Sequence, residues 1–281
     1  MTARHRAGEI GRSTLVHLTL GGYCVLVLAP ILLVLLNSFK TRQGIFDAPL
    51  GLPDAQTFSL AGYHRVLGNS AVWQMFANSA TVTGVSLVLI LLFGAMASWA
   101  LTEYGFRGNR LVALFLAFGI MVPIRLGSVA ILQEMVALNL VNTLTALVLV
   151  YVAQGLPLAV MILSEFIAQV PQELKDAARC DGVGEYRIFF QVVLPLVRPA
   201  VATVAVFTMV PIWNDLWFPL ILAPAQETQT ITLGVQQFVG QFATDWNAVL
   251  AALSLAVLPV LVLYALFSRQ LIRGITAGAV K

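Results

Sequence analysis

The chain has 281 residues, 59% of them hydrophobic and 10% charged, with a formal net charge of +3. Soluble globular proteins carry roughly 45–50% apolar and about 25% charged residues, so there is too little polar side chain here to cover a surface facing water. Soluble enzymes, DNA-binding domains and disordered chains are thereby disfavoured, and so small a basic excess gives no reason to expect nucleic acid as a partner.

A helix that crosses a membrane needs about 20 mostly apolar residues. Six stretches qualify, at roughly 14–36, 75–100, 111–133, 142–164, 201–222 and 247–268. The first follows Arg4, Arg6 and Arg12, as a secretory signal would. Its apolar run is longer than the 7–15 residues of a signal, about 23, and it passes through Pro30 to Lys40 with no small-x-small cleavage site. It therefore reads as a retained helix. With the N-terminus cytoplasmic, twelve of the sixteen Lys and Arg residues fall inside: Arg4, Arg6, Arg12, Arg107, Arg110, Lys175, Arg179, Arg187, Arg198, Arg269, Arg273 and Lys281. Only Lys40, Arg42 and Arg65 fall outside, and Arg125 lies within the third stretch. Short cytoplasmic loops are enriched in Lys and Arg. Residues 1–13 and 269–281 are thus expected as cytoplasmic tails around one six-helix membrane domain, 14–268, with outer segments at 37–74, 134–141 and 223–246. No internal repeat or separate soluble domain is visible.

Several chemistries lack their residues. There is no G-x-x-x-x-G-K-[ST] to cradle a nucleotide, and no H-E-x-x-H or G-x-S-x-G. His5, His17 and His64 have no Cys, His or Asp at ligand spacing, so no metal site is expected. Cys24 and Cys180 are too few for a disulfide framework. No cofactor is expected on this chain, and uphill transport would draw its energy from a partner or an ion gradient.

The large inner segment 165–200 carries helix punctuation. Pro171 suits a first helical position, Glu173 the positive end of the helix dipole, and Gly182 the left-handed residue past the end. A short helix is expected over 171–181 and another over 184–193, ending at Pro195. Ala177 and Ala178 are small enough for the helix to sit in a groove of another protein, while Ile188, Phe189 and Phe190 need cover. Two readings are open on pattern alone: a connector packed on its own helices, or a docking element.

The pattern Asp176-Ala177-Ala178-x-x-Asp181-Gly182, followed by Leu194-Pro195, resembles the EAA loop of ABC importer permeases, with Asp in place of the usual first Glu. Ile212-Trp213-Asn214-Asp215 before Phe218-Pro219, and the ending Arg273-Gly274-Ile275, resemble the carbohydrate-importing branch. The resemblance implies an all-α, polytopic membrane protein of six transmembrane helices with the type I ABC importer permease fold. It also implies a second homologous permease, two ATPase subunits that hold the ATP, an extracytoplasmic solute-binding protein and a sugar substrate. Asp176, Ala177, Ala178, Asp181, Gly182, Leu194 and Pro195 would then dock the ATPase and couple its closure to alternating access.

Charge inside a membrane usually faces a cavity or a partner. Arg125 and Asp215 each lie about 14 residues into their stretch, at the same depth of about 21 Å, so the two are expected to pair beside a translocation path. Assembly at the permease–permease interface is the other reading. Pro123, Pro211 and Pro219 can break helix ladders near them, and irregular backbone at depth is tolerated where it lines water. Pro123, Arg125, Gln154, Asn214 and Asp215 are expected nearest the path. Trp213 and Trp217 are expected either to stack on sugar faces or to mark the membrane interface. The outer segment 223–246 has no Lys or Arg but carries Gln226, Gln229, Gln236, Gln237 and Gln241. It is expected either to reach a binding protein or to act as a plain outer cap. A carbohydrate importer permease leads. An importer of sugar- or glycerol-phosphate anions is the alternative that Arg125 keeps open, and an ion-driven secondary transporter is less favoured because it has no need of the Asp176–Pro195 pattern.

Overall fold

The structure is a computed structural model in which residues 3–238 and 245–279 are described. Among these, regular structure is helical, with one isolated β-bridge between Lys40 and Phe58. In chain order the helices are α1 (Ala3–Ser38), α2 (Arg42–Asp47), α3 (Ala61–Leu67), α4 (Ser70–Glu103), α5 (Asn109–Met121), α6 (Ser128–Ala137) and α7 (Leu144–Ile167). There follow α8 (Gln172–Cys180), α9 (Glu185–Arg187), a π-helical turn (Ile188–Val193), α10 (Leu194–Leu196), α11 (Arg198–Asn214), α12 (Trp217–Leu222), α13 (Ile231–Gly234) and α14 (Trp246–Ala279).

Three of the six expected stretches are single helices long and apolar enough to cross a membrane: Ser13–Ser38 within α1, α4 and α7. The sixth lies in α14, whose apolar part is described over Trp246–Val262. The third and fifth are interrupted, as their prolines allow. In the third, α5 and the pair Ile124–Ala137 meet at 88°. Pro123 has no N–H to continue the ladder and holds Val122 extended, at φ −85° and ψ 118°. In the fifth, α11 stops at Asn214 because Asp215 leaves the helical region, at φ −70° and ψ 133°. Pro211 lies inside α11, and Pro157 inside α7, without ending either helix. Pro219 falls in the first turn of α12, where a missing N–H costs little.

Segment 165–200 differs in detail from its expectation. Pro171 precedes α8 as its cap and is not its first helical residue. The second helix does not end at Pro195. The N–H of Leu194 bonds to the carbonyl of Phe189, five residues back, and this wider turn carries the chain on through Pro195 to Leu196. The direction then changes by 78° ahead of α11, at Val197, between Pro195 and Pro199.

The chain divides into two compact units. One contains α1–α3 and the first part of α14. Here Asn247 donates to Lys40 O at 2.6 Å, and its own backbone passes so close to α3 that a Cβ on Gly62 would lie 2.2 Å from Asn247 O. The buried Lys40 ammonium reaches Asn37 Oδ1 at 3.0 Å and Ala48 O at 2.7 Å, which closes the chain after α1. Arg65 pairs with Asp245 in the same unit.

The other unit contains α4–α13 and the end of α14, and α4 against α7 forms its centre. A Cβ on Gly94 would lie 2.8 Å from Ala159 Cβ, and one on Gly155 would lie 2.5 Å from Ile90 Cδ1. Small residues thus bring the two helices together. Trp99, Leu147, Tyr151, Leu163, Ile188, Phe189 and Phe218 fill the core around them. Thr143 caps α7 by accepting from Ala146 N at 3.2 Å. Asn142, in a left-handed turn at φ 59°, ties the start of α7 to the end of α12 by donating to Leu222 O at 2.7 Å.

Candidate functional site

The break after α11 creates the first site. As Asp215 leaves the helix, its carboxylate turns back to the start of α12 and accepts from Trp217 N at 3.3 Å and Phe218 N at 3.1 Å. The Tyr151 hydroxyl donates to it at 3.0 Å, and Arg125 Nη2 lies 3.2 Å away. The two charges that sequence depth suggested should meet are therefore in contact. They are unequally placed: the Asp215 side chain is 8% exposed and that of Arg125 66%. Asp215 has three donors besides Arg125, so its charge is met even when the guanidinium is elsewhere. Arg125 sits on the short 3₁₀ turn that follows Pro123, and this turn is fixed by a relay. Ser128 Oγ donates to Arg125 O at 2.6 Å, and Trp217 Nε1 donates to Ser128 Oγ at 2.8 Å.

Beside the pair is a cavity of about 190 Å³, lined by Arg125, Tyr151, Gln154, Thr208, Pro211 and Asp215 among others. It presents donors and acceptors on an otherwise apolar wall. Of the residues expected on a path, the structure brings Arg125, Gln154 and Asp215 together. Pro123 shapes the turn but does not line the cavity. Trp213 is buried, its carbonyl accepts from Thr232 Oγ1 at 2.9 Å, and it is not among the residues that line this cavity. Asn214 is exposed and turns back to donate to Val210 O at 3.0 Å. Trp217 meets Ser128, as given above. Tyr151 was not anticipated. Its signal was a phenol within an apolar stretch, which needs a partner, three residues before Gln154 and so on the same helical face.

The second site is α8 and its anchorage. The helix ends in a Schellman motif: Gly182, at φ 74°, donates to Arg179 O at 3.0 Å, and Val183 N donates to Ala178 O at 3.0 Å. Asp176, Ala177, Asp181 and Gly182 are exposed along it, and Ala178 partly so. Leu194 and Pro195 lie apart from them, in an apolar groove with Phe189 and Phe190. The inward face of α8 carries a cluster that sequence reading missed. Glu103, the last residue of α4, accepts from Lys175 Nζ at 2.5 Å, Arg179 Nη2 at 2.6 Å and Gln172 Nε2 at 3.3 Å. Arg179 also reaches Asp176 at 2.9 Å and Glu185 at 2.8 Å, and Tyr104 OH donates to Glu185 at 2.7 Å. Glu185 and Glu103 together raise the pKa of the Arg179 guanidinium further above its already high value. Lys175 lies over the Trp99 ring, 5.5 Å from its centroid. The available signal was Lys175 and Arg179 four apart on one helix face; their partner stands some 70 residues earlier, where local pattern is silent.

After α12, Asn78 donates to Glu227 O at 2.9 Å and Gln229 O at 3.0 Å, which fixes residues 227–229 to α4. Gln241 and Lys281 lie outside the described residues, as do the side chains of Gln237, Arg4, Arg6, Arg12, Arg269 and Arg273. No group of three or more metal-ligating side chains occurs among the described residues.

Residues 90–277 match the family model of the binding-protein-dependent transport system inner membrane component. Among curated proteins, the chain is 33% identical to the diacetylchitobiose uptake system permease protein NgcG of Streptomyces coelicolor, over 91% of this chain and 85% of that protein. It is 33% identical to the melibiose/raffinose/stachyose import permease protein MelC of Bacillus subtilis, over 90% and 91% of the two chains. Among solved structures, a chain of a bacterial ABC transporter involved in the import of the acidic polysaccharide alginate superposes with a TM-score of 0.81 at 20% identity. That match covers 96% of this chain and 98% of that one and concerns the fold. The family model and the relatives bear out the resemblance read from Asp176–Pro195: this chain belongs to the binding-protein-dependent transport system inner membrane components, the multi-pass permease subunits of ABC importers.

Proposed function

We propose that the chain is one of two homologous permeases in an ATP-driven importer of carbohydrates, oligosaccharides or amino sugars in particular. The observation that carries this reading is the cavity beside Arg125 and Asp215. Its charges sum to zero, and it offers donors (Arg125, Gln154) beside acceptors (Asp215, Thr208, Gln154). A sugar hydroxyl is donor and acceptor at once and matches such a wall. Relatives that bear the names of diacetylchitobiose and melibiose/raffinose/stachyose uptake support it. One of the two ATPase subunits would bind the exposed face of this chain's α8 through Asp176, Ala177, Ala178, Asp181 and Gly182, with Leu194 and Pro195 supporting the segment behind it, and the other would bind the second permease. ATP would be held there, since this chain has no nucleotide-cradling motif of its own. An extracytoplasmic binding protein would deliver the sugar. The twelve-to-three distribution of basic residues supports placing both termini in the cytoplasm.

One observation favours a second substrate class. The Arg125 side chain is 66% exposed and dispensable to Asp215, so it is free to take an anion such as a sugar phosphate. Reconstitution with the partner subunits decides between them. Neutral oligosaccharides should stimulate ATP hydrolysis through the binding protein, and phosphorylated sugars should not. Stimulation by the phosphorylated sugars alone would establish the second class, and failure to co-purify with any ATPase would remove both.

A further inference from the structure

Three side chains of α8 converge on one carboxylate at the end of α4. Gln172, Lys175 and Arg179 lie on one face of α8, and all three donate to Glu103. Both Glu103 and Lys175 are buried, with side chains 6% and 7% exposed. A buried ion pair gains little stability over an apolar contact of the same shape. What it adds is register, because convergent charged hydrogen bonds fix one geometry where apolar side chains slide. We propose that Glu103 is a positioning residue that makes α8 and α4 move as one body, so that a displacement of α8 reaches the Arg125–Asp215 cavity. This rests on the importer reading above and extends it to a residue outside the EAA-like pattern.

The onward route consists of close contacts. Trp99, one turn before Glu103, carries the Lys175 ammonium over its ring. Ser98 donates to Val160 O on α7 at 3.2 Å, Gly94 meets Ala159, and Ile90 meets Gly155. Gly155 and its neighbour Gln154 line the cavity. No long flexible side chain intervenes between α4 and α7 at these points, so α4 cannot shift without carrying the cavity wall with it. Glu185 accepts from Arg179 at the side and from the Tyr104 hydroxyl, so the following turn travels with the helix.

The test uses the assembled transporter, with permease partner and ATPases, in nanodiscs. Cys24 and Cys180 are replaced by Ser, and Gln154→Cys is labelled with a charged maleimide, with and without a non-hydrolysable ATP analogue. With Glu103 intact, the nucleotide should change the labelling rate. With Glu103→Gln, the complex should still hydrolyse ATP, but that change in rate should shrink by about two-fold or more. An undiminished response overturns the proposal. If Glu103→Gln does not assemble, Lys175→Met, which keeps the stem over Trp99, reads the same partnership. If neither assembles, the cluster is a folding device and the proposal is wrong. A complex with intact Glu103 that shows neither ATPase activity nor a nucleotide response overturns the importer reading itself, which the Glu103 comparison leaves distinguishable.

Discussion

The two ion-pair clusters of the α4–α13 unit are built in opposite ways. At Glu103 both partners are buried, and the carboxylate is surrounded by donors from one short helix. At Asp215 the anion is buried but its cation is largely exposed, and the carboxylate keeps Tyr151 and two backbone donors of its own. The first arrangement holds helices together and has little to spare for a ligand. The second leaves a charge that can exchange partners without stranding the other. Two pairs of similar residues in one unit thus suit different tasks, fastening and binding, because burial is shared in one and unequal in the other.

Removing each carboxylate should separate them. Glu103→Ala leaves Lys175 buried without a counter-charge and should cost about 3–5 kcal/mol of stability, the largest effect expected here, read as loss of thermal stability of the detergent-solubilised complex. Asp215→Ala strands the Tyr151 hydroxyl and two N–H groups while Arg125 stays exposed, and should cost about 1–3 kcal/mol in the same assay. The reverse order would break the comparison. Arg125→Ala should change stability by less than about 1 kcal/mol, as an exposed partner does, yet lower uptake in reconstituted vesicles. Unchanged uptake would remove Arg125 from the path.

The smallest effect comes from a carboxylate with neutral partners. The Thr57 hydroxyl and the N–H groups of Thr57 and Gln56 hold exposed Asp54 below the usual aspartate pKa. A depressed folded-state value stabilises above the unfolded pKa of about 3.9 and loses that contribution as pH falls below it. Asp54→Asn should therefore lower the melting temperature slightly at neutral pH, with the difference closing in strong acid. A difference that persists in acid would mean that the turn does not depend on the charge.

Much of this was legible in local pattern. The place of α4 and α7, the cap glycine at 182, the capacity of Pro123 to break a helix and the charges at Arg125 and Asp215 all follow from spacing and residue type, although α4 runs some three to five residues beyond the expected stretch at each end. The interruption at Asp215 was less accessible. Pro211 and Pro219 are both able to break the ladder by type, but a proline inside a packed helix can be carried by its neighbours, whereas a carboxylate that caps the next helix redirects the chain. Trp213 illustrates the same limit, since composition cannot say which side of a helix an indole faces. Glu103 was out of reach because its partners are distant in sequence, and only folding makes a lone carboxylate at a helix end into the centre of a cluster.

The bend at Val122–Pro123 bears on how the protein is made. Helix α5 has 13 residues, about 20 Å at 1.5 Å per residue, which is short of the roughly 30 Å of hydrocarbon it enters. Its last carbonyls lack helical partners. Its cover includes Pro157 of α7, against which Gly119 is so close that a Cβ there would lie 2.8 Å from the proline ring. That cover is synthesised some 40 residues later. The half-span therefore leaves the ribosome before the helix that covers Gly119 has been made. A chain truncated before α7 is expected to leave residues 109–137 more open to water-soluble reagents than the full chain does, as cysteine labelling would read.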